Sequence, residues 1–175
     1  LHPKQVRGIA YMEAIVKPLP TWDDWPEKAR GIFQGFRSSK GEDLVLKRNL
    51  FIEGVLPSSI IRKLTDKEMD TYRAPFANEE DRQPMLNWPR QIPIAGQPPH
   101  VVALVQQYAD WLRVSSVPKL FVNAEPGSIL VGAQRDFCRS WHNQQEVTVP
   151  GLHFIQEDSG AAIGQAVATW LTKLD

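Results

Sequence analysis

Helical patterns that alternate with short apolar runs constrain the fold of this 175-residue chain more than any other feature. The runs at 119–123 (KLFVN) and 146–149 are predicted strands, and they alternate with amphipathic helical patterns at 101–112, 130–141 and 163–174. Strands that are separated by helices are typical of a parallel sheet with helices on both faces. We therefore predict an α/β fold with a mostly parallel sheet.

A third predicted strand, buried and located at 6–12 (VRGIAYM), comes before a long stretch of different character. Residues 21–97 combine helical periodicity with prolines and aromatic side chains and contain no convincing strand pattern. The sequence thus predicts three parts: a core strand within residues 1–20, a helical insertion at 21–97 and the remainder of the α/β core at 98–175. Three strands alone would leave a sheet edge with unpaired backbone groups, so we expect further strands N-terminal to residue 1.

Two helices inside the insertion follow from local sequence. Apolar side chains recur at helical spacing from residue 29 to residue 36, which predicts one amphipathic helix. Thr65 and Glu68 have the spacing of a capping box, which predicts the start of another.

Composition excludes several classes of function. Lys and Arg number 20, as do Asp and Glu, so the chain lacks the basic face that nucleic acid or an anionic membrane would require. The single cysteine, Cys138, excludes an internal disulfide and a cysteine-rich metal site. Metal-ligand spacing, a P-loop and a dinucleotide-binding glycine motif are absent from the sequence, so we expect no metal and no cofactor. No apolar run approaches about 18 residues, so we expect no membrane span and a cytoplasmic protein, with the periplasm as the alternative.

Two ionisable residues follow the ends of predicted strands. Glu13 lies at the carboxyl end of the first strand, where ligand sites of α/β sheets are found, and His153 lies in the loop after the last strand. A histidine there suits general-base catalysis because imidazole titrates near neutral pH, and such a base needs an acid to orient it. Both Glu13 and Glu125 follow a strand and are candidates for that acid, while solvated side chains are the alternative for Glu13 and His153.

A nucleophile for that base is missing from the sequence. No Gly-x-Ser-x-Gly elbow occurs, and Cys138 lies within a helical pattern, where a thiol usually packs rather than reacts. The sequence predicts a base without a group to activate.

Aromatic side chains are concentrated in the insertion. They are Trp22, Trp25, Phe33, Phe36, Phe51, Phe76 and Trp88. We expect most of them to pack the insertion, but Phe33, Phe51 and Trp88 are also candidates for the wall of an apolar pocket.

Five segments in order along the chain resemble haloalkane dehalogenases. They are residues 10–15 (AYMEAI), 51–57 (FIEGVLP), 88–96 (WPRQIPIAG), 119–127 (KLFVNAEPG) and 151–158 (GLHFIQED). The resemblance covers essentially the whole chain and is closest to the branch of the family whose catalytic triad is Asp-Glu-His.

This resemblance implies the C-terminal part of an α/β-hydrolase fold with a helical cap, in which Glu13 is the catalytic acid and His153 the base. Glu125 is then excluded as the acid, because in this branch the acid follows the earlier strand. Positions matching the family's substrate pocket are Phe33, Phe51, Val55, Trp88, Pro89, Ile92 and Ile129. The family's nucleophilic aspartate, the tryptophan beside it and the asparagine of its His-Gly-Asn motif would precede residue 1. An N-terminal segment of the same protein is therefore the expected partner.

The activity implied is hydrolysis of carbon–halogen bonds in small apolar haloalkanes to an alcohol and a halide ion, through an alkyl-ester intermediate, with a role in detoxification. Two alternatives stay open. One is a coelenterazine-oxidising luciferase of the same fold, which the segments around Trp88 and His153 also resemble. The other is an inactive C-terminal fragment, because the chain by itself lacks the nucleophile.

Overall fold

The computed structural model of this protein describes residues 5–174, which form two compact units. The first, here called the core unit, comprises the chain up to Lys17 and from Val105 onward. The second, the insertion unit, is Pro18–Leu104.

The elements follow one another in the order that the sequence predicts. They are β1 (Ile9–Tyr11), α1 (Glu27–Arg37), two π-helical turns (Asp43–Lys47 and Phe51–Val55), α2 (Leu56–Ser58), α3 (Asp66–Arg73), α4 (Gln83–Arg90), α5 (Pro99–Val114), β2 (Lys119–Pro126), α6 (Gly132–Arg139), β3 (Gln144–Gly151) and α7 (Ile155–Leu171). Single 3-10 turns lie at Trp22–Asp24, Ala74–Phe76 and Glu80–Arg82. Within residues 5–174, no helix has both the length and the apolar character needed to cross a membrane.

The core unit contains a parallel sheet with the strand order β1-β2-β3. Ile9 pairs with Lys119 and Tyr11 with Phe121, while β2 pairs with β3 along its whole length, from Lys119 to Pro126. The predicted parallel α/β sheet is confirmed.

Both faces of β2 are covered, as the near-continuous apolar run predicts. Leu120, Val122 and Ala124 belong to an apolar cluster that includes Ile163 and Trp170 of α7. Phe121 points to the opposite face and packs with Val16, Leu130, Cys138 and Trp141. The middle strand of the described sheet is therefore its most deeply buried element.

Two details of the predicted core are wrong. Strand β1 spans three residues rather than 6–12 and is only half-buried, with Ala10 exposed, because in the described chain it pairs with β2 alone and does so over three positions. Leu171, an apolar residue of the amphipathic pattern predicted at 163–174, is 54% exposed, because the face buried against the sheet runs through Ile163 and Trp170 and leaves Leu171 at its margin.

The insertion unit is held together by an aromatic cluster and a half-buried arginine contact. The Phe33 ring packs in a tilted arrangement against Trp25 and Phe36, with ring centroids 4.9 and 5.6 Å apart. Arg37 donates to the backbone oxygens of Pro89 and Ile92 at 2.8 and 2.7 Å, which fixes helix α1 against the end of α4.

Both helices predicted inside the insertion are confirmed. Helix α1 buries Phe33 and Phe36 of the apolar pattern at 29–36, and Thr65 caps α3 by accepting from the Glu68 N–H at 3.3 Å. Glu68 completes the capping box, since its carboxylate accepts from the Thr65 N–H at 2.7 Å. All of the insertion unit lies within the described residues, and apart from isolated bridges of Ile94 with Leu19 and Gln97 it contains no strand.

Candidate acid–base site

The site lies at the carboxyl edge of the core sheet. Glu13 follows β1, His153 follows β3, and the loop 127–131 follows β2, which lies between them. Because the three strands are parallel neighbours, the segments after their carboxyl ends meet at the same edge, where α/β sheets bind ligands. This topology brings together two groups that are 140 positions apart in the sequence (153 − 13).

Glu13 is held in an unusual backbone conformation with its carboxylate almost fully buried. Its φ of 40° lies in the left-handed region, and only 3% of its side chain is exposed. The carboxylate accepts hydrogen bonds from the backbone N–H groups of Ile129 at 2.8 Å, Ser128 at 3.1 Å and Leu130 at 3.4 Å. These donors compensate for the loss of hydration that burial of an ionised carboxylate costs.

Glycine at position 127 allows the loop to approach Glu13 so closely. Gly127 has a φ of 76°, a conformation that side chains other than glycine rarely adopt. A Cβ there would also lie 3.1 Å from Oε1 of Glu13 and 2.9 Å from the carbonyl oxygen of Ala124. The Pro-Gly pair at the end of β2 therefore begins the donor loop.

His153 lies beside the carboxylate with its Nδ1 atom 3.5 Å from Oε2 of Glu13. This distance allows an ion pair when the ring is protonated but is longer than a good hydrogen bond. Among the described residues, the buried Nδ1 has no hydrogen-bond partner, and 35% of the side chain is exposed. The exposed part of the ring is thus away from Glu13.

Opposing effects act on the pKa of Glu13. Burial raises the pKa of this carboxyl, but the His153 ring and the N–H groups of Ile129 and Ser128 outweigh burial, so the net pKa lies below its usual value. The carboxylate is accordingly ionised at neutral pH, as an acid that orients an imidazole and stabilises its charged form must be.

The two candidate acids lie in different environments. Glu13 lies against His153, whereas the side chain of Glu125 is 64% exposed and pairs with Arg135 at 3.7 Å. An imidazole with one nitrogen beside a buried carboxylate and the rest of its ring accessible can accept a proton from a water molecule.

The predicted pocket residues occupy different environments. In the insertion unit, Phe33 and Phe51 are in edge contact, with ring centroids 6.5 Å apart. Val55 and Pro89 are buried, Ile92 is half-buried and Trp88 is 67% exposed. In the core unit, Ile129 is half-buried, and its N–H is one of the donors to Glu13. A polar cleft on the insertion unit, lined by residues such as Lys47, Glu53 and Arg73, includes none of the predicted pocket residues.

Sequence reasoning missed several polar groups near Glu13. They are the N–H groups of residues 128–130, which donate to its carboxylate, the side chain of Arg135, which binds the carbonyls around them, and the buried side chain of Gln134, which bonds to the backbone of Val16 and Lys17. The signal for the N–H groups was the Pro126-Gly127 turn directly after a strand. Arg135 and Gln134 carried no sequence signal, since both lie in an ordinary helical pattern. In the described chain, no three His, Cys, Asp or Glu side chains are grouped as metal ligands would be.

The parallel sheet, its covering helices and the Glu13–His153 pair at the carboxyl edge define an α/β-hydrolase fold. Solved structures agree. A putative ancestral haloalkane dehalogenase, AncHLD2, superposes with a TM-score of 0.93 at 42% identity, over 99% of this chain and 62% of that one. The haloalkane dehalogenase DbeA from Bradyrhizobium elkani gives a TM-score of 0.92 at 38% identity, over 99% and 62% of the two chains.

Curated relatives carry the same description. A haloalkane dehalogenase of Sphingobium indicum is 56% identical over 174 residues, which are 99% of this chain and 58% of that protein. One of Mycolicibacterium smegmatis is 49% identical over 176 residues, 99% of this chain and 56% of that protein. No family model matches the chain. The chain is a homologue of the haloalkane dehalogenases and spans somewhat more than half the length of these relatives.

Proposed function

We propose that this chain is the C-terminal part of a haloalkane dehalogenase, an enzyme that hydrolyses carbon–halogen bonds in small apolar haloalkanes. The observation that carries the proposal is the buried, ionised Glu13 beside the half-exposed His153, at the carboxyl edge of a sheet shared with dehalogenases. The homology supports the reaction class, and the pair supplies the base that such a reaction needs.

The proposed reaction has two steps. An aspartate carboxylate from a segment N-terminal to residue 1 attacks the carbon, so that a carbon–oxygen bond forms while halide leaves with the bonding electrons. His153 then takes a proton from water, the resulting hydroxide cleaves the alkyl ester into the alcohol and the free carboxylate, and the imidazolium releases its proton to solvent. Glu13 stabilises the imidazolium formed in this second step.

We further propose that residues 21–97 are the cap and that seven apolar residues line the substrate site. These are Phe33, Phe51, Val55, Trp88, Pro89, Ile92 and Ile129. An apolar pocket supports this substrate class for two reasons. Transfer of a haloalkane from water into an apolar site lowers its free energy, and low polarity strengthens the hydrogen bonds that hold the departing halide. Neither metal nor organic cofactor takes part in these steps.

The test compares residues 1–175 alone with the same residues joined to the N-terminal segment of the Sphingobium indicum relative. With 1-bromobutane, we expect the joined protein to release halide and the chain alone to release none. Halide release by the purified chain alone would contradict the proposed origin of the nucleophile. A folded joined protein that releases no halide, or that instead emits light with coelenterazine, would contradict the proposed activity.

A second arm of the test uses His153→Phe in the joined protein. Ester formation uses only the upstream carboxylate, so we expect one halide per enzyme and an alkyl adduct that mass spectrometry detects. His142→Phe is the matched control and should turn over like the parent, since His142 lies in the connection before β3. Normal turnover of His153→Phe would show that His153 is not the base.

A further inference from the structure

The side chain of Arg135, on α6, is directed at the loop that follows β2. Its Nη2 donates to the carbonyl oxygens of Ala124 at 2.9 Å and Pro126 at 3.1 Å, and its Nε donates to that of Leu130 at 3.1 Å. Only 15% of the side chain is exposed. One guanidinium therefore binds this segment on both sides of residues 127–129.

The segment that Arg135 binds is the one that binds Glu13. The N–H groups of Ser128, Ile129 and Leu130 donate to the Glu13 carboxylate, and they lie between or at the carbonyls that Arg135 holds. The segment 124–130 thus directs carbonyl oxygens at the guanidinium of Arg135 and N–H groups at the carboxylate of Glu13. A Cβ at Gly127 would lie 2.9 Å from Nη2 of Arg135, so glycine is needed for this approach as well.

We propose that Arg135 is a positioning residue for the Glu13–His153 pair, acting through the backbone of residues 126–130. It holds three N–H groups toward the carboxylate and so keeps Glu13 in place and ionised beside the imidazole. The inference rests on the proposed dehalogenase function and adds a residue that touches neither Glu13 nor His153 through its own side chain.

The consequence for chemistry is specific to one step. Without these N–H groups, His153 alone would oppose the effect of burial, and the pKa of Glu13 would rise. A protonated Glu13 does not stabilise the imidazolium, so ester hydrolysis would slow. The acid limb of the pH–rate profile for hydrolysis would move to higher pH. Displacement of halide uses neither Glu13 nor His153 and would be spared.

Arg139 provides a matched control on the same helix. It is 44% exposed and pairs at the surface with Glu146 at 2.7 Å, so its loss removes an arginine from α6 without touching the loop after β2. Its truncation leaves the donors of Glu13 in place.

The experiment uses rapid-quench kinetics of the full-length enzyme across pH, with 1-bromobutane, for Arg135→Met, Arg135→Lys and Arg139→Met. For Arg135→Met we expect the rate of halide displacement to stay within about threefold of the parent. Ester hydrolysis should be slower by roughly tenfold or more, which is the loss typical of a charge-assisted hydrogen bond, and the acid limb of its pH–rate profile should lie at higher pH. Arg135→Lys should recover part of the hydrolysis rate, because its ammonium can still bind a carbonyl. Arg139→Met should match the parent in both steps.

Several outcomes would overturn the inference. One is an Arg135→Met variant that loses thermal stability yet hydrolyses the ester at the parent rate and with the parent pH profile. Another is equal slowing of both steps, which indicates general damage to the site. If Arg135→Met does not fold, Arg135→Lys decides, and an unchanged acid limb in that variant contradicts the proposal. A parent enzyme that releases no halide would instead refute the proposed function.

Discussion

At the scale of single residues, burial separates the two carboxylates that are candidates for the acid. Glu13 loses its hydration but gains three backbone donors and a histidine neighbour, whereas Glu125 stays largely in solvent with an arginine. Strand β1 ends at Tyr11, which pairs with Phe121, while β2 continues to Pro126. Glu125 therefore lies on the part of β2 that extends past β1, and its side chain is largely exposed beside Arg135.

Replacing each of these carboxylates by its amide tests the assignment of the acid. We expect Glu13→Gln in the full-length enzyme to slow ester hydrolysis by about 10²–10⁴-fold, because an amide neither compensates the imidazolium nor fixes its tautomer. Glu125→Gln should leave the chemical step within roughly tenfold, since a solvent-exposed pair contributes little. The measurement is single-turnover decay of the alkyl ester in variants whose circular dichroism matches the parent. The assignment is wrong if Glu125→Gln has the larger effect.

At the scale of elements, the sequence predicts well those features that depend on interactions between residues close together in the chain. Helix α1 follows from apolar side chains at helical spacing, and the start of α3 follows from the reciprocal hydrogen bonds of Thr65 and Glu68. The apolar run of β2 predicts a strand buried on both faces, as the structure shows.

Properties that depend on neighbouring elements could not be predicted from local pattern. The length of β1 depends on how far β2 runs beside it, and the choice between Glu13 and Glu125 depends on register. The support that the loop 127–131 gives to Glu13 depends on three segments that are distant in sequence. For the Glu13–His153 pair itself, sequence periodicity left both Glu13 and Glu125 as candidate acids, and the resemblance to haloalkane dehalogenases favoured Glu13.

The start of β2 holds a buried cation that no pattern predicted. Lys119 is fully buried, and its Nζ donates to the carbonyl oxygens of Ser115 at 2.8 Å, Val117 at 2.9 Å and His142 at 3.0 Å. Burial lowers the pKa of this ammonium. The three bonds join the turn before β2 to the segment before β3, at the end of the sheet opposite the Glu13–His153 pair.

Truncating this lysine should destabilise the core unit. We expect Lys119→Met to lower the free energy of unfolding by about 2–4 kcal/mol, because it leaves one buried and two partly buried carbonyl groups without the ammonium donor. Exposed Lys173 is the control, and Lys173→Met should stay within about 0.5 kcal/mol of the parent. Urea titration measures both.

The same lysine also predicts a pH dependence. Its folded pKa is below its unfolded value, so between the two pKa values the unfolded state binds more protons and stability rises with pH. Lys119→Met should flatten this slope on the alkaline side. An unchanged stability and slope would show that the buried ammonium contributes nothing to the fold.

At the scale of the whole molecule, the chain leaves the core unit after Lys17, and one buried side chain holds that exit. Gln134 accepts through Oε1 from the N–H groups of Val16 at 3.0 Å and Lys17 at 3.2 Å, and its Nε2 donates to the carbonyl of Lys17 at 2.9 Å. Gln134 precedes Arg135 on α6. Gln134 therefore supports the backbone that follows Glu13, and its neighbour Arg135 supports the loop 127–131, whose N–H groups donate to the Glu13 carboxylate.

Gln134→Leu keeps the approximate volume but removes the amide, and so leaves two N–H groups and one carbonyl without partners. We expect the full-length protein to lose about 2–3 kcal/mol of stability, with faster hydrogen exchange in a peptide that covers residues 14–19. Gln106→Leu is the control, since the exposed Gln106 side chain bonds to exposed Asp110 on its own helix, and it should change neither quantity. If exchange at 14–19 stays at the parent rate while α6 loosens, Gln134 stabilises its own helix rather than the exit. If exchange rises at 14–19 while α6 keeps its protection, the exit depends on this one amide, and ester hydrolysis should slow with it because Glu13 lies only three residues before Val16.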